Sequence, residues 1–89
     1  MQAYVALIHK DAESDYGVSF PDFPGCITVG HSIDEARQFA TEALALHIDG
    51  MIADGEEIPR PSSLDMVMAD LMNRDGVAVL VDAPTLAEH

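Results

Sequence analysis

The sequence contains one cysteine, Cys26, and no tryptophan. A single cysteine excludes an internal disulfide and offers no cysteine pair for a zinc site. No segment approaches the ~20 apolar residues of a membrane-spanning helix, and the first residues lack the basic start and apolar stretch of an export signal. We therefore expect a protein of a reducing compartment, the cytoplasm, without a membrane segment.

Basic residues are also scarce, since four Lys and Arg stand against sixteen Asp and Glu, for a formal net charge of −12. This charge repels phosphate backbones, so the segment is a poor candidate for binding DNA or RNA. It favours encounter with a basic protein, although an acidic surface that only maintains solubility has the same composition.

Signatures of catalysis and of metal binding are missing as well. The four histidines form neither an H-x-x-x-H nor an H-E-x-x-H pair, and no serine lies in a G-x-S-x-G elbow. Cys26 has no basic neighbour, so we expect a small buried strand residue and not a nucleophile. The carboxylates of Asp11, Glu13 and Asp15 could hold Mg²⁺, but their spacing is not that of an EF-hand loop and a solvated turn is favoured. The sequence thus predicts no catalytic residue, no metal and no cofactor.

Apolar residues make up 48% of the chain and charged residues 22%, which supports one folded domain over residues 1–89. Three apolar segments predict strands: Ala3–His9, Tyr16–Phe20 and Cys26–Val29. The first of them is apolar on both faces, which predicts an inner strand of the sheet.

A long helix is predicted to follow, because Ser32 and Glu35 form an S-x-x-E capping box and apolar residues recur at helical spacing up to a stop at Gly55. Ser63 then predicts the cap of a short second helix, and Val77–Asp82 has the β-branched density of a last strand. The predicted fold is α+β, an antiparallel meander with one long helix packed on the sheet and a possible short second helix before the last strand. One helix covers only one face of a sheet, so we expect a second copy of the chain, in a homodimer or higher oligomer, to cover the remaining apolar surface.

The stretch from Tyr4 to Ser62 resembles the HicB-like antitoxin family of type II toxin–antitoxin systems. Its most specific part is Gly17–Cys26, GVSFPDFPGC, followed by Gly30, the Ser32 cap and the exit from the helix. The resemblance implies a partial RNase H-like βββαβ fold, self-association, and neutralisation of a small HicA-like toxin, a basic protein that cleaves messenger RNA. Members of the family usually carry a further C-terminal DNA-binding module. Because only residues 83–89 follow the predicted last strand, we expect one antitoxin domain here without that module.

We place the contact with the toxin at Tyr16, Phe20, Asp22 and Phe23, since the P-x-x-P segment holds aromatic rings and an acid on a stiff loop. The alternative is that PDFPG is a rigid turn whose aromatic rings fill the core. Two other functions stay open: an oligomeric scaffold domain without a toxin partner, and a nuclease, which would need acidic residues converging on the sheet.

Overall fold

The computed structural model describes residues 2–10, 15–70, 73 and 75–83, and the elements within them follow the order βββααβ. The strands are β1 (Gln2–Lys10), β2 (Tyr16–Ser19), β3 (Ile27–Gly30) and β4 (Val77–Ala83), and the helices are α1 (Ile33–Ala53) and α2 (Leu64–Met68). The strands form one antiparallel sheet in the order β3-β2-β1-β4. The predicted α+β meander, the long helix, the short second helix and the inner position of the first strand are confirmed.

Strand β1 lies at the centre of both apolar clusters of the molecule. Successive side chains of a strand point to opposite faces of the sheet. Tyr4, Ala6 and Ile8 therefore pack under α1, while Val5 and Leu7 pack on the other face against residues of α2. We expected a second copy to cover this other face, but α2 covers part of it within the chain. The oligomeric state itself stays a prediction.

Side-chain caps fix the beginning of α1, and a glycine with positive φ fixes its end. The Ser32 hydroxyl accepts a hydrogen bond from the Glu35 N–H at 3.1 Å, while the Glu35 carboxylate accepts one from the N–H of His31 at 3.0 Å. Glu35 thus reaches one residue further back than in a reciprocal capping box. At the other end Gly55 has φ of +73°, and its N–H and that of the next residue donate to carbonyls of the last turn in a Schellman motif. Neither described helix has the length and apolar character needed to cross a bilayer.

A glycine sets the distance between α1 and the edge of the sheet. A Cβ placed on Gly30 would lie 2.5 Å from the backbone nitrogen of Ala36 and 3.0 Å from the backbone carbon of Glu35. No side chain fits there, and the buried Ala36 lets the first turn of α1 approach β3 closely.

We expect Gly30→Ala to lower the free energy of unfolding by roughly 1–3 kcal/mol, because the added methyl overlaps backbone atoms that a rotamer change cannot move away. The control is Gly50→Ala within α1, where an added Cβ meets nothing within 4 Å. That variant should be more stable than the native chain by about 0.5–1 kcal/mol, since alanine favours the helical backbone over glycine. Urea denaturation followed by circular dichroism measures both changes, and shifts of the same sign would contradict this account.

The start of β2 is tied to the turn before α1 by one exposed pair, in which the His31 Nδ1 and an Asp15 carboxylate oxygen lie 3.0 Å apart. The hydrogen bond to Asp15 and its negative charge raise the pKa of His31 above the ordinary value. The raised pKa means that the folded state favours the protonated ring. The contribution of the pair to stability is therefore present below the pKa of an unfolded histidine and is lost as pH rises through the raised value.

We expect Asp15→Asn to lower the pKa of His31 in an NMR titration, because it removes the charge and the acceptor that favour the imidazolium. Glu42→Gln, on the exposed face of α1, serves as the control and should leave the titration of His31 unchanged. An unaltered His31 titration in the Asp15 variant would contradict the pairing.

Candidate functional site

The PDFPG segment, Pro21–Gly25, makes two successive turns between β2 and β3. The Phe23 N–H donates to the Phe20 carbonyl, and the Cys26 N–H donates to the Phe23 carbonyl, both at 3.0 Å. Gly25 has φ of +90°, a conformation that side chains rarely adopt. The turns direct both phenylalanine rings into the core, where Phe20 is 3% and Phe23 1% exposed.

Phe23 packs between the sheet and the long helix. Its ring makes an edge contact with Tyr4 of β1 at 4.7 Å between centroids, and another with His47 of α1 at 5.7 Å. Edge-to-face pairs of this kind add specific geometry to apolar burial. The loop is therefore held between β1 and α1.

Hydrogen bonds join the same loop to the segment that follows α1. The buried Tyr4 hydroxyl donates to the Pro59 carbonyl, and the Asp22 carboxylate accepts from both the Ser62 N–H, at 2.8 Å, and the Ser62 hydroxyl, at 2.5 Å. Burial and, to a smaller extent, the charge of Asp22 raise the pKa of Tyr4. Asp22 is thus held in one orientation at the surface of the loop, half-buried.

A groove of about 540 Å³ lies where the loop, the C-terminal half of α1 and the segment after it meet. We call it the acidic groove, because its lining includes three carboxylates and neither Lys nor Arg; the acids are Asp22, Asp54 and Glu56. The remainder of the lining is largely apolar and includes Phe23 and Met51.

The electrostatics of the acidic groove favour a cation. The C-terminal end of a helix carries partial negative charge, and the last turn of α1 contains no basic residue to offset it. Among the described residues, none forms an ion pair with the three acids of the groove. Chemically, the arrangement suits a Lys or Arg side chain presented by another molecule, with the apolar lining in contact with its methylene groups.

The structure brings together two of the four residues at which the sequence places the toxin contact. Asp22 and Phe23 both line the acidic groove, whereas Phe20 is buried in the core. Tyr16 lies apart on β2, with the Lys10 ammonium 5.9 Å from its ring centroid. Both phenylalanines of the loop region fill the core, as the alternative interpretation holds, and the contact assignment itself stays a prediction.

Two acids of the groove, Asp54 and Glu56, were missed by sequence reasoning. The available signal was the acidic run around Gly55, where the predicted helix ends. That run does not reveal which side of the helix end the acids occupy, because this depends on the position of the PDFPG loop.

The cysteine and the carboxylates of the first hairpin offer little for catalysis. Cys26 is 3% exposed, and burial raises the pKa of its thiol, which disfavours the nucleophilic thiolate. Asp11 and Glu13 lie outside the described residues, and the Asp15 carboxylate is bound to His31. Within the described part of the chain, no three His, Cys, Asp or Glu side chains are grouped so as to hold a metal ion.

Comparison with known sequences gives one family over nearly the whole chain. Residues 4–87 match the family described as the HicB-like antitoxin of bacterial toxin–antitoxin systems. A 14.9 kDa protein from the rep–hol intergenic region of Haemophilus phage HP1 is 37% identical over 79 residues, which are 89% of this chain and 59% of that protein. Antitoxin HicB of Escherichia coli K12 is 42% identical over 62 residues, which are 70% of this chain and 45% of the antitoxin. The chain therefore spans about half the length of these relatives.

Comparison with solved structures gives the same family as comparison with known sequences. The crystal structure of the Burkholderia pseudomallei antitoxin HicB superimposes with a TM-score of 0.84 at 32% identity, over 93% of this chain and 64% of that one. A chain in the HicA3 and HicB3 toxin–antitoxin complex gives a TM-score of 0.77 at 26% identity, over 92% of this chain and 98% of that one. With the family match covering residues 4–87 and the same fold in solved antitoxins, this chain belongs to the HicB-like antitoxin family of bacterial toxin–antitoxin systems.

Proposed function

We propose that this chain is an antitoxin that binds and neutralises a small, basic, mRNA-cleaving HicA-like toxin in the cytoplasm. The observation that carries the proposal is the acidic groove, whose lining holds three carboxylates and one histidine, His47, but neither Lys nor Arg, on a HicB-type fold. Support also comes from the similarity to a chain of the HicA3 and HicB3 complex and from the net charge of −12. Residues 1–89 would act as one domain that suffices for toxin binding without a DNA-binding module, and that binds neither nucleic acid nor membrane.

Of the four predicted contact residues, Asp22 is the one that would meet a basic side chain directly. Ser62 already orients its carboxylate, so little side-chain entropy would be lost when the partner arrives. Phe23 would form part of the apolar lining of the groove. Phe20 is buried, so it would affect toxin binding only through the packing of the loop. Tyr16 would contact the toxin at a separate surface, outside the groove lining.

Neutralisation would combine steric cover with electrostatic competition. A toxin that cleaves RNA needs basic side chains for the phosphate backbone. The acidic groove would bind such side chains and so cover the face that RNA requires. Attraction between oppositely charged surfaces raises the association rate and is screened over a Debye length of about 8 Å at physiological ionic strength.

Biolayer interferometry against the purified HicA-like protein of the adjacent gene should show binding whose association rate falls with added salt more than its dissociation rate rises. Asp54→Asn combined with Glu56→Gln should reduce the association rate severalfold, because both acids lie at the groove. The control combines Asp49→Asn with Glu42→Gln, which removes the same charge from exposed positions of α1 outside the groove lining.

Each outcome tests a separate part of the proposal. Absence of binding contradicts the antitoxin function and favours the scaffold alternative, as would the lack of an adjacent gene for a small basic protein. Equal effects of the two double variants contradict the groove as the contact, and an association rate that does not change with salt contradicts electrostatic steering.

We also propose that the chain is not an enzyme, and expect no cleavage of RNA or DNA with Mg²⁺ or Mn²⁺. The Asp15 carboxylate is engaged by His31, and the acids of the groove, in the PDFPG loop and at the end of α1, are not grouped so as to hold a metal ion. A gel assay with and without EDTA measures this. Metal-dependent cleavage that disappears in Asp15→Asn would establish the nuclease alternative instead.

A further inference from the structure

A recess of about 270 Å³ lies on the α1 face of the sheet, away from the acidic groove. The end of β1, the start of β2, the start of β4 and the first turns of α1 meet there. None of the residues that line it belongs to the lining of the acidic groove. We call it the basic recess, because Lys10 and Arg37 both line it.

Most of the lining of the basic recess is apolar. Ile8 belongs to the main core, and the half-buried Tyr16 and Val79 pack against that core. Ile33 and Val77, by contrast, are 48% and 62% exposed. A ligand with an apolar body would remove these two aliphatic side chains from water. Pockets for drug-sized ligands measure about 300–1,000 Å³, so this recess suits a smaller molecule.

The two cations of the basic recess are free to meet an anion from outside. They are half of the four Lys and Arg in a chain with sixteen Asp and Glu. Lys10 lies opposite Tyr16 in the β1–β2 register, with its ammonium 5.9 Å from the ring centroid. Across the residues that the structure describes, neither Lys10 nor Arg37 forms an ion pair. Asp15, next to Tyr16, pairs with His31 instead.

We propose that the basic recess is a binding site for a small monocarboxylate with an aliphatic body. Its carboxylate would lie between Lys10 and Arg37, and its hydrocarbon would lie against Ile8, Ile33 and Val79. A guanidinium binds a carboxylate through two parallel hydrogen bonds, which gives this class of ligand a defined orientation. This site goes beyond toxin binding and does not depend on it.

The charge of the basic recess favours an anion with a single negative charge. Asp75 is the third charged residue of the lining, so the two cations and one acid leave a net charge of +1. A monocarboxylate balances that charge. A phosphate monoester carries a charge of about −1.5 to −2 at neutral pH and would be repelled by Asp75. The net charge of −12 on the whole chain also opposes nucleic acids and other multiply charged anions.

Sodium octanoate is the probe, in an NMR titration of the ¹⁵N-labelled 89-residue chain without toxin. Octanoate should shift the amide resonances around the basic recess and saturate, with a dissociation constant of the order of 0.1–1 mM for a ligand of this size. Octan-1-ol has the same hydrocarbon without the charge. It should bind at least about threefold more weakly, because it cannot form charge-assisted hydrogen bonds.

Two arginine variants separate the site from the overall charge of the chain. Arg37→Gln should weaken octanoate binding by about three- to tenfold and leave octan-1-ol binding unchanged. The control is Arg60→Gln, the same change at an exposed arginine outside the lining, which should leave octanoate binding unchanged. Both variants should keep the dispersed amide spectrum of a folded chain.

Removal of the acid should act in the opposite direction. Asp75→Asn should strengthen octanoate binding by about two- to fivefold, because the ligand no longer meets a like charge at the recess. The titration of octan-1-ol into the same variant should give the affinity of the native chain.

Three results would overturn the proposal. Shifts that do not saturate, or that scatter over the surface, would show that the recess is not a binding site. Equal effects of Arg37→Gln and Arg60→Gln would show that only the overall charge matters. Octan-1-ol that binds as tightly as octanoate would show apolar adsorption without recognition of the carboxylate. Because no toxin is present, none of these results bears on the antitoxin function, which interferometry tests separately.

Discussion

Burial of the Tyr4 side chain is the constraint on which much of this structure depends. A hydroxyl taken out of water must keep a hydrogen-bond partner, and leaving it without one costs about 1–3 kcal/mol. Here the acceptor is the Pro59 carbonyl, in the segment after α1. That segment must therefore return across the PDFPG loop after the helix ends, where Ser62 meets Asp22. The acidic groove lies between this returning segment, the PDFPG loop and the C-terminal half of α1.

The apolar faces of β1 explain the rest of the layout. α1 covers one face through a close approach at Gly30 and Ala36, and the short α2 covers part of the other through Val67. A helix of five residues cannot cover a whole sheet face, so apolar side chains remain exposed toward both edges. Three carboxylates meet at the acidic groove, and exposed aliphatic side chains lie on both edge strands, β3 and β4.

Features encoded by neighbouring residues were predicted from the sequence. The Ser32 and Ser63 caps, the stop at Gly55 and the inner position of β1 each follow from a few adjacent side chains, and each is confirmed. The groove was not predicted, because it depends on pairs distant in sequence: Tyr4 with Pro59, and Asp22 with Ser62. The P-x-x-P pattern predicts a turn but does not determine whether its phenylalanines face solvent or core. That outcome depends on Tyr4 and His47, which lie on other elements.

The pairing of the first strand with the last has a consequence for synthesis on the ribosome. Gln2 lies opposite Ala83, so the hydrogen bonds along one side of β1 cannot form until almost the whole domain has been translated. Contacts so distant in sequence slow folding, because a long loop must close before they form. Until then Val5 and Leu7 lack the cover that β4 and α2 provide, and a nascent chain in this state exposes apolar surface that chaperones and proteases recognise. We therefore expect the domain to complete its folding only after β4 has been translated and has paired with β1.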